Sequence, residues 1–248
     1  MWCFCKTLKS KKLFQSGNYT IVQCVACQQV RTEAPVKVKR KIFYDAEDIA
    51  VYIEKELMFR ELFRNVISFI RRFQTGGTFV EIGAGVGLLV DEAKKAGFDA
   101  IGFEPSEAAV TAAKKYFGVK LINCKFHKVT PSQRLRSDLG NLKRGIDVVV
   151  VNHVLEHVEQ PKQFLADVSH SILDGGFLFI GVPNFGSFMA MLKRGRWQSL
   201  IPDQHRWHFT LTTLDALVTQ FGFKRVGATY ENHDRSMHPW WKQPVYAV

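Results

Sequence analysis

Phe79–Glu104 reads FVEIGAGVGLLVDEAKKAGFDAIGFE, and the fold turns on how this stretch is read. Phe79, Val80 and Ile82 make a short apolar run that ends on Gly83, Gly85 and Gly87. A helical stretch follows, and a second apolar run, Ala100 to Phe103, ends on the carboxylate of Glu104. Strand, glycine loop, helix and strand-end acid together form the first half of a nucleotide-binding βαβ unit. Glycines let the backbone approach a ligand closely, and an acid at that place grips two ribose hydroxyls. A nucleoside-containing ligand is expected.

The glycine spacing narrows the ligand. A dinucleotide fingerprint needs a third glycine at position 88, which is Leu88, and the chain instead carries E-x-G-x-G-x-G from Glu81 to Gly87. No Lys-Ser/Thr pair opens the helix, which excludes a P-loop. The stretch resembles motif I of class I S-adenosylmethionine-dependent methyltransferases. That resemblance implies that Glu81, Gly83, Ala84, Gly85 and Gly87 lie under the methionine end of the cofactor. It also implies that Glu104, followed by Pro105, takes the ribose. A glycine-rich turn that serves only packing is the alternative.

Its 248 residues accommodate one α/β domain with a small appendage and a full apolar core. No apolar run approaches the roughly 18 residues of a membrane span, and the N-terminus lacks the core of a signal peptide; a cytoplasmic location is expected. A net charge of +11 points to an anionic partner, although the lysines are spread along the chain.

Four of the five cysteines lie in the first 27 residues, as Cys3, Cys5, Cys24 and Cys27. Two close pairs flanking a hairpin-like segment, Leu13 to Val25, are the layout of a zinc ribbon. Four thiolates close a tetrahedral shell, so the metal would be structural, replacing a core that so short a segment cannot build. The first pair is one residue closer than the usual C-x-x-C. The domains expected are a zinc-ribbon-like module at 1–35, a basic linker at 36–44 containing VKVKRK, and a methyltransferase domain at 45–248.

Helical spacing from Asp45 to Phe73 predicts one long helix or two in succession. Strands are predicted at Val119 to Asn123, Asp147 to Val151 and Phe177 to Val182, the last entered through an Asp174-Gly175-Gly176 turn. Phe223 to Tyr230 and Val245 to Val248 complete a doubly wound, seven-stranded, mostly parallel α/β sheet, Rossmann-like, with the last strand antiparallel. Where many methyltransferases place an acid for the adenine amino group, this chain has Cys124, Lys125 and Phe126.

The strand at 147–151 leads into Asn152-His153-Val154-Leu155-Glu156-His157. This resembles the LEH segment of small-molecule methyltransferases, which implies that Asn152 and His153 contact cofactor or substrate and that His157 is structural. Residues 185–206 insert after the fifth strand, with Lys193, Arg194 and Arg196 beside Trp197. They are expected either to hold a phosphate on the acceptor or to form a solvated lid. His205-Arg206-Trp207-His208-Phe209 resembles a segment of zinc-ribbon-bearing sugar C- and O-methyltransferases, which implies that His205 is a general base. The function expected is transfer of a methyl group from S-adenosylmethionine to O or C of a small molecule, with a sugar or sugar conjugate favoured. An RNA methyltransferase, a quinone or lipid methyltransferase and a non-catalytic cofactor-binding protein are the alternatives. Residues 152–155 contain no proline, unlike the Asn/Asp-Pro-Pro-aromatic of exocyclic-amine methylases, which counts against nucleic acid as acceptor.

Overall fold

The computed structural model describes residues 4, 5, 7, 9–33, 46–124, 145–231 and 241–247. Cys3, the linker at 36–44, Lys125 and Phe126 lie outside these residues. The main sheet contains β4 (Gly77–Ile82), β5 (Phe98–Glu104), β6 (Ile122–Asn123), β7 (Ile146–Asn152), β8 (Ile172–Gly181), β10 (Lys224–Glu231) and β11 (Trp241–Ala247). Its strand order is β10-β11-β8-β7-β4-β5-β6. The run from β8 to β6 is parallel, and β11 pairs antiparallel with both β8 and β10.

Alternate residues of the central strands go to opposite faces, as the two-residue period of a strand requires. Phe79, Val148, Val150 and Phe179 face α2 (Glu56–Ile70), α3 (Leu88–Lys95) and α4 (Glu107–Phe117). Val80, Ile82, Val149, Val151 and Ile180 face α5 (Pro161–Ser169) and α7 (Leu211–Val218). Val148 to Val151 are wholly buried, at about 1.5–3 kcal/mol of transfer energy for each side chain. The doubly wound, Rossmann-like fold expected from the sequence is present. Lys55 separates α1 (Ala46–Glu54) from α2, so the helical region before the glycine loop is two helices.

One local expectation changes. Asp174-Gly175-Gly176 does not precede the strand but lies inside β8, where the pairing with β7 slips between Ile146 and Val148. Gly175 has φ +78°, so the extra residues form a bulge at little steric cost. At α7 the N-cap is Thr210, whose hydroxyl accepts the Thr213 amide in a capping box.

The N-terminal segment contains β1 (Ser10–Ser16), β2 (Tyr19–Cys24) and β3 (Val30–Glu33). β3 pairs antiparallel with β9 (Trp207–His208), so one four-stranded sheet, β1-β2-β3-β9, joins the module to the main domain. Ile21 and Val30 pack with Ala190, Trp197 and Leu200 of the insertion, and the Phe4 ring lies 4.4 Å from that of Trp207.

The chain runs outward from β4 to β5 and β6, then returns to β7 on the other side of β4. That reversal opens a crevice beyond the carboxyl ends of β4 and β7, the usual place for a ligand in such a sheet.

Candidate active site

The glycine loop fills one wall of the crevice. Gly83, Gly85 and Gly87 have φ of +77°, +54° and +79°, values that side chains other than glycine adopt at a cost. A Cβ on Gly83 would lie 2.4 Å from Val154 Cγ2, so the loop and the segment after β7 touch. Gly83 and Ala84 both donate their amides to the Phe103 carbonyl, at 2.8 and 3.0 Å, which ties the loop to the end of β5. There the two oxygens of Glu104 accept the amides of Gly85 (2.9 Å) and Ser106 (2.8 Å). Burial pushes the Glu104 carboxyl up. Glu81 is also buried. Burial first, and then the neighbouring Glu104 charge, push its carboxyl to about 8. Its Oε2 has no hydrogen-bond partner among the described residues. Pro105 is exposed just beyond Glu104.

A second group of side chains gathers at the end of β7. Asn152 is the last strand residue, paired with Gly181. His153 follows in a left-handed conformation, φ +54°, with its amide donated to the Gly181 carbonyl at 2.8 Å. One turn on, Glu156 is wholly buried. Its Oε1 lies 3.3 Å from His153 Nδ1 and 4.0 Å from His157 Nε2, while Oε2 has no hydrogen-bond partner among the described residues. Burial alone would raise this carboxyl; the His153 hydrogen bond and the surrounding histidines overcome it and hold the group down at about 2. Glu156 is therefore ionised at neutral pH. Its backbone carbonyl accepts the amides of Arg206 (2.8 Å) and Trp207 (3.1 Å), which anchors the His205–Phe209 segment over this turn.

His205, expected as the base, is 4% exposed. Its Nδ1 is 3.0 Å from the Ser199 carbonyl, which can only accept, so Nδ1 carries the proton. Burial pulls the ring down to about 4, and the Glu156 charge opposes this only in part. His205 is neutral at pH 7 and reluctant to take a further proton. Its ring lies 4.7 Å from that of His157, whose Nδ1 is 3.3 Å from the Gln204 carbonyl. His208 is buried against β3, with Nε2 2.8 Å from Thr32 Oγ1. The side chain that sequence reasoning passed over is Glu156. Its one-turn spacing from His153 was the available signal.

The insertion packs on the N-terminal module. Its short helix α6 (Phe188–Lys193) exposes Phe188, Met191 and Leu192. Arg194 donates to the Leu13 carbonyl (3.3 Å) and lies over the Phe14 ring, so it is spent on the N-terminal module.

In that module the thiols of Cys5, Cys24 and Cys27 lie within 4.8 Å of one another. Cys5 and Cys24 are 3.5 Å apart. The Thr7 hydroxyl is the largest influence drawing the Cys5 thiol down to about 6. Three convergent thiols, one of them readily ionised, suit a thiophilic metal ion.

A family profile described as a methyltransferase domain matches residues 55–227. Among curated proteins, the chain resembles the ubiquinone biosynthesis O-methyltransferase of Caulobacter vibrioides, 28% identical over 138 residues (53% of this chain, 52% of the relative). It also resembles that of Hydrogenovibrio crunogenus, 25% identical over 171 residues (65% and 69%). The chain thus spans about half the length of the first of these relatives. Among solved structures, a SAM-dependent methyltransferase from Thermotoga maritima superposes with a TM-score of 0.59 at 19% identity, covering 82% of this chain and 96% of that one. Burkholderia thailandensis 1,6-didemethyltoxoflavin-N1-methyltransferase, solved with S-adenosylhomocysteine, gives 0.54 at 13% identity, covering 91% and 97%. At such identities the structural likeness shows the fold.

Proposed function

Because the chain belongs to the methyltransferase-domain family across residues 55–227, we propose that it moves a methyl group from S-adenosylmethionine to an oxygen of a small molecule. One observation carries the donor half. Two buried acids, Glu81 and Glu104, close a single cleft with three left-handed glycines at the point where the strand order reverses. The residues present fit the cofactor. Glu104, steadied by two amides, presents a carboxylate to a pair of ribose hydroxyls. The unpartnered Glu81 oxygen suits the ammonium of the methionine end, and the positive-φ glycines bring backbone rather than side chain to the cleft. Asn152 and His153 border the same cleft.

The cofactor supplies an electrophilic methyl on a sulfonium. The protein then has to align the acceptor oxygen with it and remove the acceptor's proton. For the acceptor, the curated relatives support the quinone class, in its phenolic form, over the sugar conjugate expected from the HRWHF segment. A phenolic hydroxyl ionises readily, which eases removal of its proton. The engagement of Arg194 with β1 removes one support for a phosphate-bearing acceptor.

For the N-terminal module, the proposal is a structural zinc held by Cys5, Cys24 and Cys27, with Cys3 as the fourth thiolate. The convergence of the three described thiols supports it. A closed shell of this kind has no open position for substrate. It would secure β2 and β3 against β9, and so the floor beneath His205–Phe209.

The test is methyl transfer from labelled S-adenosylmethionine to an alkyl catechol, with calorimetry of S-adenosylhomocysteine in parallel. Labelled methoxy product is expected. Binding without transfer, to the catechol or to any fraction of a lysate, would leave a non-catalytic binding protein.

A further inference from the structure

Methyl transfer to a hydroxyl needs somewhere for the proton to go, and among the described residues four histidines lie near the end of β7. Three are held away from the crevice. His205 and His208 are buried at 4% and 2% exposure. His157 has a side chain 15% exposed, turned toward the Gln204 carbonyl. His153 differs. Its side chain is 34% exposed, and it is the first residue beyond the carboxyl end of β7, on the rim of the crevice.

We propose that His153 is the catalytic base of the reaction and that Glu156 is the positioning residue that aims it. The inference rests on the methyl-transfer reading above. The backbone holds His153 in place at three points. Its φ of +54° is a left-handed value uncommon for a residue with a side chain, the kind of local strain that gathers at functional sites. Its amide is fixed to Gly181. Its neighbour Val154 packs on Gly83, so the imidazole keeps a set distance from the loop that cradles the methyl donor. The side chain is fixed as well. An ionised carboxylate can only accept, so the 3.3 Å contact places the His153 proton on Nδ1 and the lone pair on Nε2. A buried acid that sets the tautomer of a histidine and then stabilises its charged form is the logic of the serine-hydrolase triad, transferred to a different reaction.

The step balances. As the acceptor oxygen forms its bond to the methyl carbon, the carbon–sulfur bond breaks and sulfur keeps the electron pair. The hydroxyl proton passes to His153 Nε2. Glu156 stabilises the imidazolium, which later returns the proton to solvent. Among the described residues, the other titratable groups facing the pair are His157 on the same turn and His205 from the insertion; Arg206 is paired with Glu159 at 3.5 Å.

The experiment compares wild type, His153→Ala and Glu156→Gln for transfer to an alkyl catechol across pH 5 to 9, with S-adenosylhomocysteine calorimetry on each. For His153→Ala, kcat is expected to fall about 10²-fold or more. Affinity for S-adenosylhomocysteine should be kept, the acid limb of the rate profile lost, and part of the rate restored by added imidazole. For Glu156→Gln, KM should hold while kcat falls, and the acid limb should move to lower pH because the stabilising charge is gone. If His153→Ala keeps its kcat, or loses cofactor affinity in step with kcat, the residue is not the base. If a chelator abolishes wild-type turnover and Mg²⁺ restores it, the carboxylate is a ligand instead and the proposal falls. A wild-type chain that binds S-adenosylhomocysteine but methylates nothing overturns the underlying reading, a result distinct from either of these.

Discussion

Replacing Glu81 by Gln and following stability across pH tests the donor cleft in its empty state. Burial and the Glu104 charge hold the Glu81 carboxyl near 8, against an ordinary value of 4.5. Below pH 4.5 the folded and unfolded chains both carry the proton, and the group has no effect. Between 4.5 and 8 only the folded chain keeps it, so stability falls by about 1.4 kcal/mol for each pH unit. Over the whole window the loss is about 5 kcal/mol, and above pH 8 it is constant. His205 acts in the opposite sense. Burial holds it near 4 against 6.5, so between those values the unfolded chain binds the proton and stability rises with pH at a similar slope. The two effects roughly cancel from 4.5 to 6.5, and from 6.5 to 8 Glu81 alone of the pair costs about 2 kcal/mol. Glu81→Gln removes the acid and keeps the shape. The stability difference between variant and wild type should therefore grow in the variant's favour by about 5 kcal/mol from pH 4.5 to 8. Urea unfolding at pH 5, 6.5 and 8 measures it. A difference that stays constant with pH would refute the reasoning, because groups not coupled to Glu81 cancel between the two chains. A corollary concerns the ligand. Its cationic methionine end favours the ionised acid, so binding of S-adenosylmethionine at pH 7 should release a proton, seen as a dependence of the calorimetric heat on buffer.

Other substitutions probe separate parts of the molecule. If Glu104 takes the ribose as proposed, Glu104→Ala would remove two charge-assisted hydrogen bonds, about 1.5–3 kcal/mol each; S-adenosylhomocysteine affinity should fall at least about 10²-fold, and unchanged calorimetric affinity would reject the ribose assignment. Arg60 joins Glu56 on α2 to Asp91 and Glu92 on α3, each at 2.6 Å. Arg60→Ala leaves the buried Glu92 with Lys95 at 3.1 Å, and a loss of about 1–3 kcal/mol is expected in thermal unfolding. An unchanged melting temperature would show that the cluster adds nothing to helix packing. Cys24→Ser should lower bound zinc from about one ion per chain to none, and elemental analysis finding no zinc in the wild-type chain would remove the metal.

The donor half was readable from the sequence because its parts are contiguous. A strand, a loop whose glycines must take positive φ, a helix and an acid at the next strand end lie within Phe79–Glu104, and backbone geometry alone brings them together. The alternation of apolar residues likewise carried the sheet. Local reading failed where pairing partners decide the structure. Asp174-Gly175-Gly176 has the composition of a turn, yet the neighbouring β7 draws it into β8 as a bulge.

The acceptor half was legible only as a set of residue types. HRWHF singled out His205, but its exposure depends on Ser199, Glu156 and His157, none of which sequence spacing brings to it. Thr32 and His208 meet across 176 positions because β3 pairs with β9, and no pattern within either segment announces that pairing. A base needs access to substrate and a partner for its charge, and both are properties of packing. The sequence by itself determined the glycine loop and strand-end acid on which the donor proposal rests. Only the tertiary structure separated the described histidines at the end of β7, because burial and a carboxylate one turn away are properties of packing.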